Sequence, residues 1–458
     1  MLTSTIAAIG TGLTNSGISI IRISGNKSLD IAYKIFDNYK KLEPNKIIYG
    51  NIIKNQSIID NVLVSYFKAP KSFTGEDTIE INCHGGVQIT KEILEYVLQN
   101  GAVLAEPGEF SKRAFLNGKM DLSKAEAVID LINAKTRVGT KIFEKQLQGE
   151  LASKITKLRE ELIEMLAHIS VSIDYPEYDY EEVENKNVVR LLNKKIEEVT
   201  KLLKTYDQGK VIKDGVNVAI IGRPNVGKSS ILNRLSKSDK AIVTDIAGTT
   251  RDIVEESVNI GNLVLNLSDT AGIRDTDDLI EKIGVEKSIK ILDEVDLVLY
   301  VLNAENKIQK DDYEILSRIK NKGLKYIVVI NKIDKVDKMY LNQFVSQLKE
   351  LKNENTIMIS AYENYGIDEL KSKIEEMFNT NDLDYQNELI ITNERHKMLL
   401  EKAMDNLNDA INAINLGMPI DIISIHIKNA TKFLGQIIGQ DVNAEVTKKI
   451  FEKFCIGK

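Results

Sequence analysis

The sequence predicts a multidomain α/β plus α protein: an N-terminal α+β domain, then a helical domain with an α/β P-loop domain inserted into it. Three observations predict this. A β-branched run, Val216 to Ile221, breaks into Gly222-x-x-x-x-Gly227-Lys228-Ser229, the strand, phosphate loop and helix start of a nucleotide site. Apolar residues recur at helical spacing on both sides of that region. The first stretch of chain instead alternates short β-type runs with turns. At 458 residues the chain has length for roughly three domains, and 43% hydrophobic content supplies separate cores. A net charge of −6 argues against a protein that coats nucleic acid electrostatically, while leaving a local basic face open. Two cysteines, Cys83 and Cys455, exclude a disulfide framework and suit a reducing cytosol. The N-terminus lacks the basic and apolar segments of a signal peptide. No apolar run approaches the ~18–20 residues that span a bilayer. A soluble, cytoplasmic protein with no membrane partner is expected.

In chain order, residues 1–118 carry strands at Ile18–Ile23, Ile58–Val64 and Thr78–Asn82 and a helix at Ile93–Gln99. Cys83 and His84 read as turn packing before Gly85-Gly86. Residues 119–214 are helical. Leu147, Leu151, Ile155, Leu158, Leu162, Leu166 and Ile169 form one stripe on a long amphipathic helix, on which His168 reads as a satisfied core histidine. Asp174 to Glu184, acidic and broken by Pro176, reads as a loop, and Val188–Leu203 as helix again. Residues 215–379 hold the nucleotide domain. In residues 380–458, Asn393 can cap a helix carrying Leu400, Ala403, Leu407, Ile411 and Ile414. Gly417-Met-Pro419 ends it, and helices follow at Ile422–Ile438 and Val442–Phe454. His396 and His426 carry no signal. Each helical flank offers only one-sided helices, so the two are read as one domain around the insertion.

In the phosphate loop, Asn225, Val226, Gly227, Lys228, Ser229 and Ser230 face the phosphates. Glycines let backbone N–H groups turn inward, Lys228 sets a charge on the β/γ-phosphates, and Ser229 offers a hydroxyl to Mg²⁺. Asp245-Ile-Ala-Gly-Thr-Thr-Arg-Asp252 supplies a switch threonine, Thr249 or Thr250, for Mg²⁺ and the γ-phosphate. In Asp269-Thr270-Ala271-Gly272 the carboxylate can hold Mg²⁺ through water and the glycine N–H can sense the γ-phosphate. Asn331-Lys332-Ile333-Asp334 follows a β-run. Its Asp334 carboxylate accepts both N–H groups of the guanine edge, which adenine cannot offer, so the motif specifies GTP. Ser360-Ala361 suits a base-contacting loop. Ras-type enzymes place a water-orienting Gln after Asp-x-x-Gly, and here Ile273 stands there instead. Glu281 is the candidate replacement, and a solvated carboxylate at a helix start is the alternative. Asn225 is a candidate ligand for a monovalent cation that replaces an arginine finger's charge.

These motifs resemble the TrmE-Era-Septin branch of GTPases. Ser72-Phe-Thr-Gly-Glu-Asp77, Glu80-Ile-Asn-Cys-His-Gly-Gly86, Pro107-Gly-Glu-Phe110, Arg113-Ala-Phe-Leu-Asn-Gly-Lys119 and the terminal Cys455-Ile-Gly-Lys458 resemble one family in it, the MnmE (TrmE) tRNA modification GTPases. The resemblance implies an N-terminal folate-binding domain that also makes a homodimer. It implies work with the FAD protein MnmG (GidA), in a heterotetramer or larger complex, to add an aminomethyl or carboxymethylaminomethyl group to C5 of the wobble uridine of certain tRNAs. It further implies potassium-activated hydrolysis with Asn225, Thr244, Ile246 and Thr249 as K⁺ ligands, Ser229 and Thr250 as Mg²⁺ ligands, and Glu281 as the catalytic glutamate. The guanine nucleotide would touch Asn225, Val226, Gly227, Lys228, Ser229, Ser230, Thr244, Asp245, Ile246, Ala247, Gly248, Thr249, Thr250, Asp269, Thr270, Ala271, Gly272, Asn331, Lys332, Asp334, Ser360 and Ala361. Arg22, Glu80, Lys119 and Lys458 match the positions that hold a tetrahydrofolate derivative (5-formyl or 5,10-methylene). Cys455 has two readings: a reactive thiol beside the folate, or a small residue packed at a helix end. The competing function is a ribosome-assembly or translation GTPase of the Era/EngA type, which would need an RNA-binding module that the sequence does not show.

Overall fold

A computed structural model of the chain describes residues 4–174, 181–238, 256–268, 292–293, 295–349, 355–378 and 388–458. The N-terminal region is a six-stranded sheet of β1 (Ile6–Ile9), β2 (Ser16–Ser24), β3 (Ile47–Lys54), β4 (Ser57–Phe67), β5 (Thr78–Gly85) and β6 (Val103–Leu104), in the order β3-β4-β5-β2-β1-β6. Helices α1 (Ser28–Ile35) and α2 (Val87–Gln99) bury Ile31, Ile35, Ile93 and Val97 against Ile21, Ile23, Ile79 and Ile81 on one face. The expected strands lie within β2, β4 and β5, and the expected helix is the second half of α2. Strands β1 and β3 and helix α1 are too short or too mixed to signal themselves. Cys83 and His84 lie within β5, so the expected turn is a strand. Cys83 packs inward while His84 points to solvent and pairs with Asp60.

Helices α3 (Glu109–Leu116), α4 (Leu122–Ile132), α5 (Arg137–Gln148), α6 (Glu150–Asp174), α7 (Glu181–Lys204) and α8 (Tyr206–Asp214) follow. The expected single stripe divides. Gly149, with φ +92°, closes α5 in the left-handed cap conformation that favours glycine. Leu147 therefore belongs to α5 and is exposed, whereas Leu151 to Ile169 line α6 and are buried or partly so. His168 is exposed rather than a core histidine. Of the expected Asp174–Glu184 loop, Asp174 belongs to α6 and Glu181 to Glu184 belong to α7, while residues 175–180 lie outside the described residues. Beyond the nucleotide region, Asn393 caps α13 (Glu394–Asn415), accepting the Arg395 amide at 2.9 Å. Helices α14 (Ile420–Ile437) and α15 (Ala444–Phe451) complete the chain. Leu151 to Leu162 of α6 and Leu192 to Leu202 of α7 share one apolar core with Leu400 to Ala413 and Ile423 to Ile437. Neither flank closes that core alone.

Between the flanks, β7 (Val216–Gly222), β8 (Glu256–Ile260), β9 (Leu263–Ser268), β10 (Leu297–Asn303), β11 (Lys325–Asn331) and β12 (Thr356–Met358) form a second sheet, ordered β12-β11-β10-β7-β9-β8. All its pairings are parallel except β8 on β9. Every residue of β10 is buried, as befits a central parallel strand covered on both faces. Helices α9 (Lys228–Ser238), α10 (Lys310–Asn321), α11 (Lys338–Lys349) and α12 (Ile367–Phe378) supply the layers. The loops after β7, β11 and β12 leave the carboxyl edge of the sheet, where open α/β folds bind ligands.

Candidate functional site: a phosphate loop and a C-terminal arm

At the first site, β7 delivers the phosphate loop to the N-terminus of α9. A Cβ on Gly227 would stand 2.2 Å from Asn331 Nδ2, so only glycine fits there. Lys228 Nζ donates to Gly222 O and Arg223 O, both at 2.8 Å, holding its ammonium inside the loop. Burial pushes that ammonium's pKa down. Ser229 and Ser230 are exposed at the start of α9, where unpaired N–H groups favour an anion. Asn225 is also exposed, with φ +62°.

Asn331 has a structural task that its motif did not reveal. It is buried; its Nδ2 donates to Val226 O at 2.9 Å and its Oδ1 accepts the Ala361 amide at 3.1 Å. One side chain thus ties the phosphate loop to the Ser360-Ala361 loop, each bond contributing about 1 kcal/mol. Lys332, at φ +64°, lies 3.7 Å from Glu305, and Asp334 is exposed on the short turn Ile333–Lys335. Arg234 on α9 supports the same loop, donating to Ala361 O at 2.7 Å and Tyr362 O at 2.8 Å. No sequence motif singles out Arg234. Thr244, Asp245, Ile246, Ala247, Gly248, Thr249, Thr250, Asp269, Thr270, Ala271, Gly272, Ile273 and Glu281 lie outside the described residues. Among the described residues no cluster of His, Cys, Asp and Glu has the form of a metal site.

The second site lies on the open face of the first sheet, where β2 and β5 pair Arg22 with Glu80. Arg22 Nη2 and Nε both reach Glu80 Oε1 at 2.8 Å, and Nη1 donates to Gly457 O at 3.2 Å. The guanidinium sits 5.7 Å from the Phe73 ring centre and 5.6 Å from that of Phe110. The last residues of the chain close this site. Phe110 N donates to Lys458 O at 3.2 Å and Gly108 N to Cys455 O at 3.3 Å. Burial first, then the Arg22 charge, lowers the Lys458 pKa. Arg22, Glu80 and Lys458 are thus brought together, while Lys119 Nζ donates to Pro70 O at 2.9 Å in the loop that carries Phe73. Cys455 is partly buried, its carbonyl accepting the amides of Gly108 and Lys458.

A third cluster was missed. Arg395 clasps Glu126 through Nε–Oε1 at 2.9 Å and Nη2–Oε2 at 2.7 Å, and donates to the carbonyls of Gln436 and Ile437 at the end of α14. His396 Nε2 meets Glu126 Oε2 at 2.7 Å, while its buried Nδ1 has no partner among the described residues. Burial raises the Glu126 pKa, but its contacts with His396 and the Arg395 guanidinium more than offset it and hold it at about 2. Burial lowers the His396 pKa more than Glu126 raises it, so the ring is neutral at pH 7 and donates from Nε2.

The MnmE helical domain model matches residues 122–455 and the model of the GTP-binding protein TrmE N-terminus matches residues 5–119. The tRNA modification GTPase MnmE of Acetivibrio thermocellus is 48% identical over 459 residues, 99% of each chain. The chain belongs to the MnmE family of tRNA modification GTPases. Proteins of the same name from Clostridioides difficile and Alkaliphilus oremlandii are 46% and 45% identical, each over 99% of both chains. Guanine-nucleotide hydrolysis in tRNA modification goes with that family, and Mg²⁺ with its nucleotide. The ribosome-assembly alternative gives way, because identity extends across the N-terminal and helical regions as well as the phosphate loop. Among the described residues no helix is long and apolar enough to cross a membrane.

Proposed function

We propose that this chain is a potassium-activated GTPase that works with an MnmG-type FAD protein to add an aminomethyl or carboxymethylaminomethyl group to C5 of a wobble uridine. The observation that carries the nucleotide half is Asn331, which locks the phosphate loop and the Ser360-Ala361 loop at one edge of the sheet. In this reading Lys228 leaves the Gly222 and Arg223 carbonyls for the β/γ-phosphates, the α9 N-terminus completes the cradle, and Asp334 reads guanine. Ser229 and Thr250 hold Mg²⁺; Asn225, Thr244, Ile246 and Thr249 hold K⁺. The two ions supply positive charge where the phosphates develop negative charge. Glu281 orients the water in place of the absent glutamine.

The arm site is assigned to a tetrahydrofolate derivative. Glu80 suits the N–H edge of a pterin, Lys119 and Lys458 suit a glutamyl tail, and Phe73 and Phe110 give the ring apolar walls. A homodimer is assigned to the same sheet. Ile18, Ile47, Tyr49 and Leu63 are exposed and, by the strand registers, share the face that carries Arg22 and Glu80. A second copy covering them would remove an apolar patch from water. The cytoplasm is the proposed location.

Deleting the gene and weighing wobble uridines by mass spectrometry tests the whole reading, which expects loss of the C5 group; unchanged uridines would end it. GTP turnover should be much faster in KCl than in NaCl, and Glu281→Ala should stop turnover while sparing GTP binding. Equal rates in both salts would remove the potassium assignment.

A further inference from the structure

The phosphate loop is gripped on a second side, by side chains that no motif described above specifies. Arg223 follows the first loop glycine, and its guanidinium turns away from the cradle toward α10. Its Nε lies 3.3 Å from Asp312 Oδ1 and its Nη2 lies 3.4 Å from Asp311 Oδ2. Asp312 is only 2% exposed and uses both carboxylate oxygens. Oδ1 also accepts the Tyr300 hydroxyl at 2.7 Å, and Oδ2 accepts the Gln309 amide at 2.8 Å. Tyr300 is fully buried in β10, whose next residue, Val301, pairs with Gly222. A phenol, a guanidinium and a backbone amide thus converge on one carboxylate behind the loop.

This arrangement matters because of what Arg223 does with its backbone. Its carbonyl is one of the two that hold the Lys228 ammonium. The side chain of Arg223 therefore fixes the peptide that presents Lys228, much as Asn331 fixes the Val226 peptide on the other side. We propose that the Tyr300–Asp312–Arg223 brace is a positioning device for GTP, with Asp312 its central residue. It touches no phosphate. It holds the first turn of the loop so that its N–H groups meet the nucleotide in place and Lys228 has only to swing from two fixed carbonyls to the phosphates, which favours binding of GTP and GDP alike. A brace of this kind affects binding more than the chemical step, since it acts equally on ground and transition states. The inference rests on the assignment of this loop to guanine nucleotide.

Steady-state kinetics and GDP titration on the full chain test it. Asp312→Asn keeps the shape and one acceptor oxygen but removes the charge and makes the other oxygen position a donor, and should raise KM for GTP and Kd for GDP about fivefold, as expected for loss of a charge pair whose guanidinium is partly exposed. The kcat should stay within about twofold. Arg223→Met, at the solvent-facing end where folding is not at risk, should do the same. The double variant should be no worse than either single one, because the two act through one contact. Arg223→Lys should recover part of the loss. If both single variants lower the thermal midpoint and leave KM and Kd unchanged, or if their effects on KM add, the brace is merely structural and the inference falls. A wild-type control without GTP turnover would instead strike the functional assignment, so the two failures are distinguishable.

Discussion

The phosphate loop and the C-terminal arm site are built on opposite principles. The loop gathers its groups from one short stretch, Gly222 to Ser230, and places them through backbone geometry at a strand–helix junction. The arm site gathers Arg22, Glu80, Phe110 and Lys458 from both ends of the chain, joined by side-chain contacts such as Arg22 to Gly457 O. A local site forms as soon as its strand and helix form. A site closed by the last residues depends also on the helices that carry them, including α13 and α14, which lead to α15 and the tail. The loop should therefore tolerate changes in those helices, whereas the arm should not.

The largest effect expected from this contrast is local. Lys228→Ala removes the charge that the loop presents and should lower GTP turnover by roughly 10²–10³-fold, the scale of losing one preorganised charge at a phosphoryl site. Binding of a folate analogue, followed by fluorescence, should not change. Loss of both activities would break the contrast, since it would mean that the loop also holds the arm in place.

The second effect runs the other way. Glu126, Arg395 and His396 clamp the end of α14, from which the chain continues toward the tail. Glu126 ionises with a pKa of about 2 in the fold against 4.5 when free, so its ionised form adds about 3 kcal/mol of stability. The folded pKa is the lower one. This contribution is fully present above pH 4.5 and is lost as pH falls toward 2. The lowered His396 pKa acts in the same direction, because the buried ring resists taking a proton as pH falls below 6.5. Glu126→Gln should lower the urea midpoint at pH 7, since it leaves Arg395 without its carboxylate. It should also flatten the acid limb of a midpoint-against-pH curve. An acid limb identical to that of the wild type would show that the cluster adds no pH-dependent stability.

What the sequence disclosed follows the same division. Contiguous groups announce themselves: the phosphate loop, Asn331 to Asp334 and the Asn393 cap are all legible from residue type and spacing. Groups assembled across the fold do not. Nothing in the spacing of Glu126 and His396, 270 positions apart, hints at one cluster, and Arg234 looks like any helix-surface arginine. The tail positions were reached only through family resemblance, since a terminal Cys-Ile-Gly-Lys has no chemistry of its own until Gly108 and Phe110 receive it. The long helix stripe misled because periodicity reads through Gly149, whereas the backbone stops there.

The smallest effect is also the most selective. Gly457 adopts φ +96°, and a Cβ on it would stand 2.1 Å from Ile9 O, a backbone atom that cannot swing aside. Gly457→Ala must shift either the tail or β1, at a strain cost of about 1–3 kcal/mol. The tail can give way more cheaply, because past the buried Phe454 it is held chiefly by the Gly108 and Phe110 amides and the Arg22 guanidinium. Lys458 would then leave its place beside Arg22. Folate-analogue affinity should fall roughly tenfold, with GTP turnover and the thermal midpoint nearly unchanged. A variant that binds the analogue as tightly as the wild type would show that the arm is packing rather than part of the site, and the contrast between the two sites would lose its second member.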